Sequence, residues 1–125
     1  MAGFLHHFLR KPPFGERVAR VATASAILVL ALHWILVAHF VIVRLGDLKF
    51  LRLHYAAGIG VDWVDQWWYL FVFPFFGLLS FVVNAWLATV LAKRKTALGV
   101  LILVATAVLE IFFVAGGLIA LLLNG

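Results

Sequence analysis

Glu110 and His33 are the two residues of this 125-residue chain whose surroundings most call for chemistry. Glu110 stands inside LGVLILVATAVLEIFFVAGG and His33 inside SAILVLALHWILVAHF. A carboxylate left alone in hydrocarbon costs several kcal/mol, so it is neutralised, partnered, or both. Two roles fit such a residue. One is a proton or cation relay, with the imidazole as second station. The other is a structural hydrogen-bond clamp between helices, within the chain or to another subunit. Asn84 and Thr106 form a second candidate intramembrane polar pair.

Other chemistries find little support. The chain has no cysteine, so disulfides and thiolate chemistry are excluded. A metal site needs three or four converging ligands. His33, His39, His54 and Glu110 are scattered in depth and face, and His39 lies about 240° around a helix from His33. No Ser-His-Asp spacing, H-E-x-x-H motif or phosphate-binding loop occurs, and Gly58 and Gly60 lack a third glycine at dinucleotide spacing. No catalytic residue, metal or cofactor is expected.

These residues must be positioned by membrane-spanning helices. The composition is 66% hydrophobic and 12% charged, with a mean hydropathy of +1.16, against about 45–50% and 25% for soluble domains. About 20 apolar residues cross a bilayer core. Three stretches qualify: 21–43, 68–92 and 97–123. A basic interfacial segment over 1–20, with Phe4 to Leu9 as a short amphipathic helix ended by Pro12-Pro13, precedes the first span. Residues 93–96 are expected to make a tight turn, and no soluble domain is expected after Asn124-Gly125. The expected class is an all-α integral membrane protein with three transmembrane helices.

At about 1.5 Å per residue, His33 lies roughly 18 Å and Glu110 roughly 20 Å from the starts of their spans, at matched depth. Asn84 and Thr106 come out at roughly 12 and 14 Å, also matched. Thr106, Glu110, Gly117 and Ala120 share one stripe of the third span, and Gly77, Ser80, Asn84 and Ala88 share one stripe of the second. Small residues permit close approach and polar ones bond across a seam, so the two stripes are expected to face each other or a second protein.

Basic residues set the orientation. Arg10, Lys11, Arg17 and Arg20 precede the first span and Lys93, Arg94 and Lys95 follow the second, against Arg44, Lys49 and Arg52 in the first loop. The positive-inside rule predicts a multi-pass protein of the cell membrane with a cytoplasmic N-terminus and an extracytoplasmic C-terminus. The net charge of +5 is explained by topology and anionic lipid headgroups, without nucleic acid.

The loop over 44–67 is unusual. Lys49 to Tyr55 alternates as a half-buried strand, Ala56 to Gly60 is a turn, and Ile59, Val61 and Trp63 alternate on the way back. A short extracytoplasmic β-hairpin is expected. Asp65 is a candidate N-cap for the helix that follows. Trp63, Trp67, Trp68 and Tyr69 suit the headgroup layer. The hairpin is either an interfacial lid on the bundle or a docking surface. Its candidate residues are His54, Tyr55, Gly58, Gly60, Asp62, Trp63, Asp65, Trp67 and Trp68.

The run LHYAAGIGVDWVDQWW, a following span with an early proline, a KRK turn and a final apolar span resemble small uncharacterised three-span membrane proteins of candidate-phylum bacteria, in which a similar L-H-Y, G-[IV]-D, W order recurs. The resemblance covers roughly Leu51 onward. It implies the same architecture and adds no activity; the basic N-terminal segment falls outside it.

The expected function is a small non-catalytic accessory or assembly subunit of a larger envelope complex, partnered by lipid and by a membrane protein or further copies of itself. The alternative is an oligomeric proton- or cation-coupled transporter or channel using Glu110. Three helices are too few to enclose a pathway alone.

Overall fold

A computed structural model describes residues 14–44, 46 and 50–125. The expected amphipathic helix over Phe4 to Leu9 lies outside them, as does Lys49. The order is α1 (Phe14–Arg44), β1 (Phe50–Ala56), β2 (Gly60–Gln66), a 3-10 turn (Trp67–Phe71), α2 (Val72–Ala92) and α3 (Thr96–Leu122). The chain is an all-α integral membrane protein carrying a two-stranded antiparallel sheet. Three helical stretches, Gly15–Arg44, Trp67–Ala92 and Thr96–Leu122, are long and apolar enough to cross a bilayer.

The first helix starts at Phe14, directly after the Pro12-Pro13 pair and two turns ahead of the expected span. Arg17 and Arg20 therefore sit on the helix itself, with Arg20 paired to Glu16 one turn back. The 3-10 turn and α2 together run Trp67–Ala92, α2 itself beginning at Val72, and α3 runs Thr96–Leu122. Between them, the backbone N–H groups of Arg94 and Lys95 donate to the Leu91 carbonyl at 3.0 and 2.9 Å. Lys93, Arg94 and Lys95 are all exposed at this turn.

Helix α3 lies between α1 and α2 and packs along both, whereas α1 and α2 touch each other much less. The buried positions of α3 are Gly99, Thr106, Glu110, Gly117 and Ala120. They lie on the expected stripe, extended by Gly99. In α2 the buried residues are Pro74, Gly77 and Ala88. Ser80 and Asn84 are half-buried beside them. Small residues dominate both seams because apolar association gains nothing in lipid, and close van der Waals approach replaces it. Long side chains such as Ile35, Trp86 and Phe112 point outward, 62%, 65% and 69% exposed. In a bilayer that outer surface meets acyl chains.

The hairpin is present. Strand β1 pairs antiparallel with β2, Phe50 opposite Gln66 and Ala56 opposite Gly60, with irregularities on either side of His54. Gly58 and Gly60 hold φ of +87° and +90°, a region that costs a Cβ-bearing residue about 1–2 kcal/mol. An isolated two-stranded hairpin is marginal in water. Here the alternation of β1 turns Leu51 and Leu53 inward and leaves Arg52 and His54 exposed. The two leucines join Val37 and Val41 of α1, Leu70 of the 3-10 turn and Ala120 of α3 in the main apolar cluster. The hairpin is thereby seated on one end of the bundle.

Candidate functional site: a buried carboxyl and imidazole on the helix seams

Glu110 is fully buried and His33 is 1% exposed. Each is admitted by a glycine on the facing helix. A Cβ on Gly77 of α2 would lie 2.7 Å from Glu110 Oε2 and 3.1 Å from Leu30 Cδ1. A Cβ on Gly117 of α3 would lie 2.1 Å from His33 Nε2. The carboxyl thus fills the α2–α3 seam at Gly77, and the ring fills the α1–α3 seam at Gly117.

This arrangement corrects the matched-depth expectation. His33 meets α3 at Gly117, seven residues beyond Glu110, which is about 10 Å of helix rise. The estimate from span ends failed because α1 begins two turns earlier than its hydropathy suggested, which shifts its register against α3. Leu30, one turn before His33 on α1, crowds the same point of Gly77 as the Glu110 carboxyl, while the His33 ring lies against Gly117.

Both nitrogens of His33 and both carboxyl oxygens of Glu110 are buried without a hydrogen-bond partner. Buried polar groups are nearly always paired, and each exception calls for an explanation. Four such atoms on two neighbouring seams are the strongest chemical feature among the described residues.

The second polar pair does not act as a cross-helix clamp. Thr106 is buried, but its hydroxyl donates to the Ile102 carbonyl of its own helix at 2.7 Å. That back-bond satisfies the hydroxyl locally and removes its need for Asn84. Asn84 stays half-buried on the opposing stripe of α2.

The hairpin candidates spread over both strands and the 3-10 turn. His54 is exposed on β1, opposite Trp63 of β2; Tyr55 lies opposite Val61, and Asp62 is the next position on β2. Gly58 and Gly60 flank Ile59, which is 79% exposed at the tip. Asp65 is not the expected N-cap. It remains in β2, opposite Leu51, and its Oδ1 accepts the N–H of the adjacent Gln66 at 2.8 Å. Gln66 itself occupies the cap position of the 3-10 turn, with no side-chain cap bond. The strand continues through Asp65 because its partner Leu51 is held in the core, and the helical φ/ψ begin two residues later. Trp67 packs against the apolar cluster, while Trp68 is half exposed, edge-on to Trp67 at 5.8 Å and stacked on Tyr69 at 6.4 Å.

Asn124 has a role that sequence reasoning missed. Its Oδ1 accepts the Arg52 N–H at 2.8 Å, and its Nδ2 donates to the Arg52 carbonyl at 2.5 Å and to Ala120 O at 2.7 Å. The side-chain amide imitates a neighbouring strand along β1 and ties the hairpin to the end of α3. A lone Asn just past a helix gives no local signal of a partner 72 residues away.

Among the described residues, no three His, Asp or Glu side chains gather as metal ligands would. No family model, curated protein or solved structure matches the chain.

Proposed function

We propose that this protein is a non-catalytic accessory or assembly subunit of a larger envelope complex, with the hairpin as its contact to the rest of that complex. The hairpin's seat carries this reading. A connector between two spans could be a mobile loop, yet here two leucines, an Asn clasp and a 3-10 turn hold a short sheet against the helix ends. Its outward positions include Arg52, His54, Ile59, Val64 and Trp68. Such a surface, three apolar side chains beside two polar ones, suits a protein neighbour at the membrane boundary. The positive-inside bias supports a hairpin outside the cell membrane and a Lys93–Lys95 turn in the cytoplasm.

The test is site-specific photo-crosslinking in native membranes. Probes at His54 and Trp68 should give one discrete protein adduct, and a probe at lipid-facing Phe112 should not. A chain that stays monomeric and uncrosslinked from both hairpin positions sinks the reading.

A second reading, an oligomeric proton- or cation-coupled transporter, is favoured by the orphaned atoms of Glu110 and His33. Because α3 occupies the middle of the bundle, its pathway would run between copies. Unchanged flux into liposomes after Glu110→Gln eliminates it.

A further inference from the structure

Glu110 is the single acidic residue within α2 and α3, and α1 has only Glu16 near its start. The groups around Glu110 offer it no counter-charge. Helix α2 contributes Gly77 at the contact and carries no titratable residue anywhere along its length. From α1 come Leu30 and, one turn further, His33, whose two nitrogens have no partner and whose ring lies against Gly117. Helix α3 holds no other ionisable group. Arg17, Arg20 and Lys93 to Lys95 are near the helix ends away from the hairpin, and the hairpin's Arg52, His54 and Asp65 lie beyond the opposite end.

We propose that Glu110 is a binding site for a single exchangeable proton, and that this proton keeps α2 closed on α3 at Gly77. A neutral carboxyl can rest against the glycine at the cost of its unmade hydrogen bonds. An ionised one in the same place would be a buried charge with neither donor nor cation, which no packed bundle tolerates. Release of the proton breaks the Glu110 O–H bond, leaves the electron pair on the carboxylate and passes the proton to water. Water reaches the group once α2 has parted from α3, so deprotonation and opening of that seam are one event. His33 is not the immediate acceptor, because its ring sits against Gly117 and neither of its nitrogens bonds the carboxyl. The site requires no solute to move, so it is independent of both functional readings above.

The experiment is infrared spectroscopy of the full chain in phospholipid nanodiscs, with carbon-13-labelled glutamate. The chain has two glutamates, and Glu16 is exposed and paired with Arg20, so a protonated-carboxyl band from label reports Glu110. The expected result is such a band at pH 7, absent in Glu110→Gln. On raising the pH the band should disappear together with a loss of amide-exchange protection in α2 around Gly77, beyond the base-catalysed rise common to all amides. Gln is neutral and close in shape, so the variant should fold, and its protection at Gly77, relative to the intrinsic rate at each pH, should no longer depend on pH. Absence of the band at pH 7 in the wild type overturns the proposal, as does its persistence in Glu110→Gln. Loss of the band with no change in exchange protection at the seam overturns the coupling to opening.

Discussion

Substituting Gly117 by Ala tests the seam at its tightest point. An ideal Cβ there lies 2.1 Å from His33 Nε2, with Cε1 at 2.9 Å and Cδ2 at 3.1 Å. Ordinary van der Waals contact starts near 3.4 Å, so the ring or the helix must give by about 1.3 Å. The obstacle is the body of a rigid, fully enclosed ring, which has no free end to swing aside. Overpacking of a dense interior costs roughly 1–3 kcal/mol, and this case belongs at the upper end, about 2–3 kcal/mol. The folded-to-unfolded ratio should fall by on the order of 30-fold or more. Equilibrium unfolding in mixed micelles, followed by circular dichroism, measures it. Gly116→Ala is the neighbouring control, since its Cβ meets two Phe73 ring atoms at 3.3 Å, and should cost under about 1 kcal/mol. Combining Gly117→Ala with His33→Ala removes the obstacle, so the two penalties should not add; a coupling of about 2 kcal/mol is expected. Strict additivity, or a Gly117→Ala protein as stable as wild type, would falsify the placement of His33 against α3.

Three further outcomes follow from the hairpin and the orientation. Asn124→Ala should leave the bundle folded while the Arg52 amide exchanges about five-fold faster by mass spectrometry, reflecting about 1 kcal/mol of lost bonding; unchanged exchange at Arg52 dismisses the clasp. Leu53, 1% exposed, should cost about 3 kcal/mol when changed to Ala, read as a drop in melting temperature; a loss below about 1 kcal/mol means the hairpin is not seated on the core. Because the chain has no cysteine, Ala57→Cys and Lys95→Cys report topology cleanly. An impermeant maleimide added to intact cells should label Ala57→Cys and spare Lys95→Cys, and the reverse pattern inverts the orientation.

The spans were legible because hydropathy over twenty or more residues is a bulk property that survives any packing arrangement. The buried face of α3 was legible too, since Thr106, Glu110, Gly117 and Ala120, each small or polar, repeat at helical spacing. So was the hairpin, where Leu51 and Leu53 alternate with Arg52 and His54 ahead of two glycines. Register between helices was not. Side-by-side position depends on where a ring finds a glycine, and His33 against Gly117 is a tertiary fact that depth from a span end does not encode. Capping failed at Asp65 for a similar reason, since pairing with Leu51 prolonged the strand past a residue that favours helix starts. Thr106 pairs with Asn84 by type and depth, whereas its own helix offers the hydroxyl a carbonyl first.

The clasp of Asn124 on Arg52 also imposes an order on biogenesis. At about 5–20 residues per second, the ribosome completes β1 several seconds before it reaches Asn124. For that interval Leu51 and Leu53 lack Ala120, and the outer edge of β1 lacks its side-chain mimic of a strand. The connector between the first two helices therefore matures only after the third has been inserted. A nascent chain arrested before α3 should present an unfinished hairpin to chaperones and proteases, and completion of α3 removes that vulnerability.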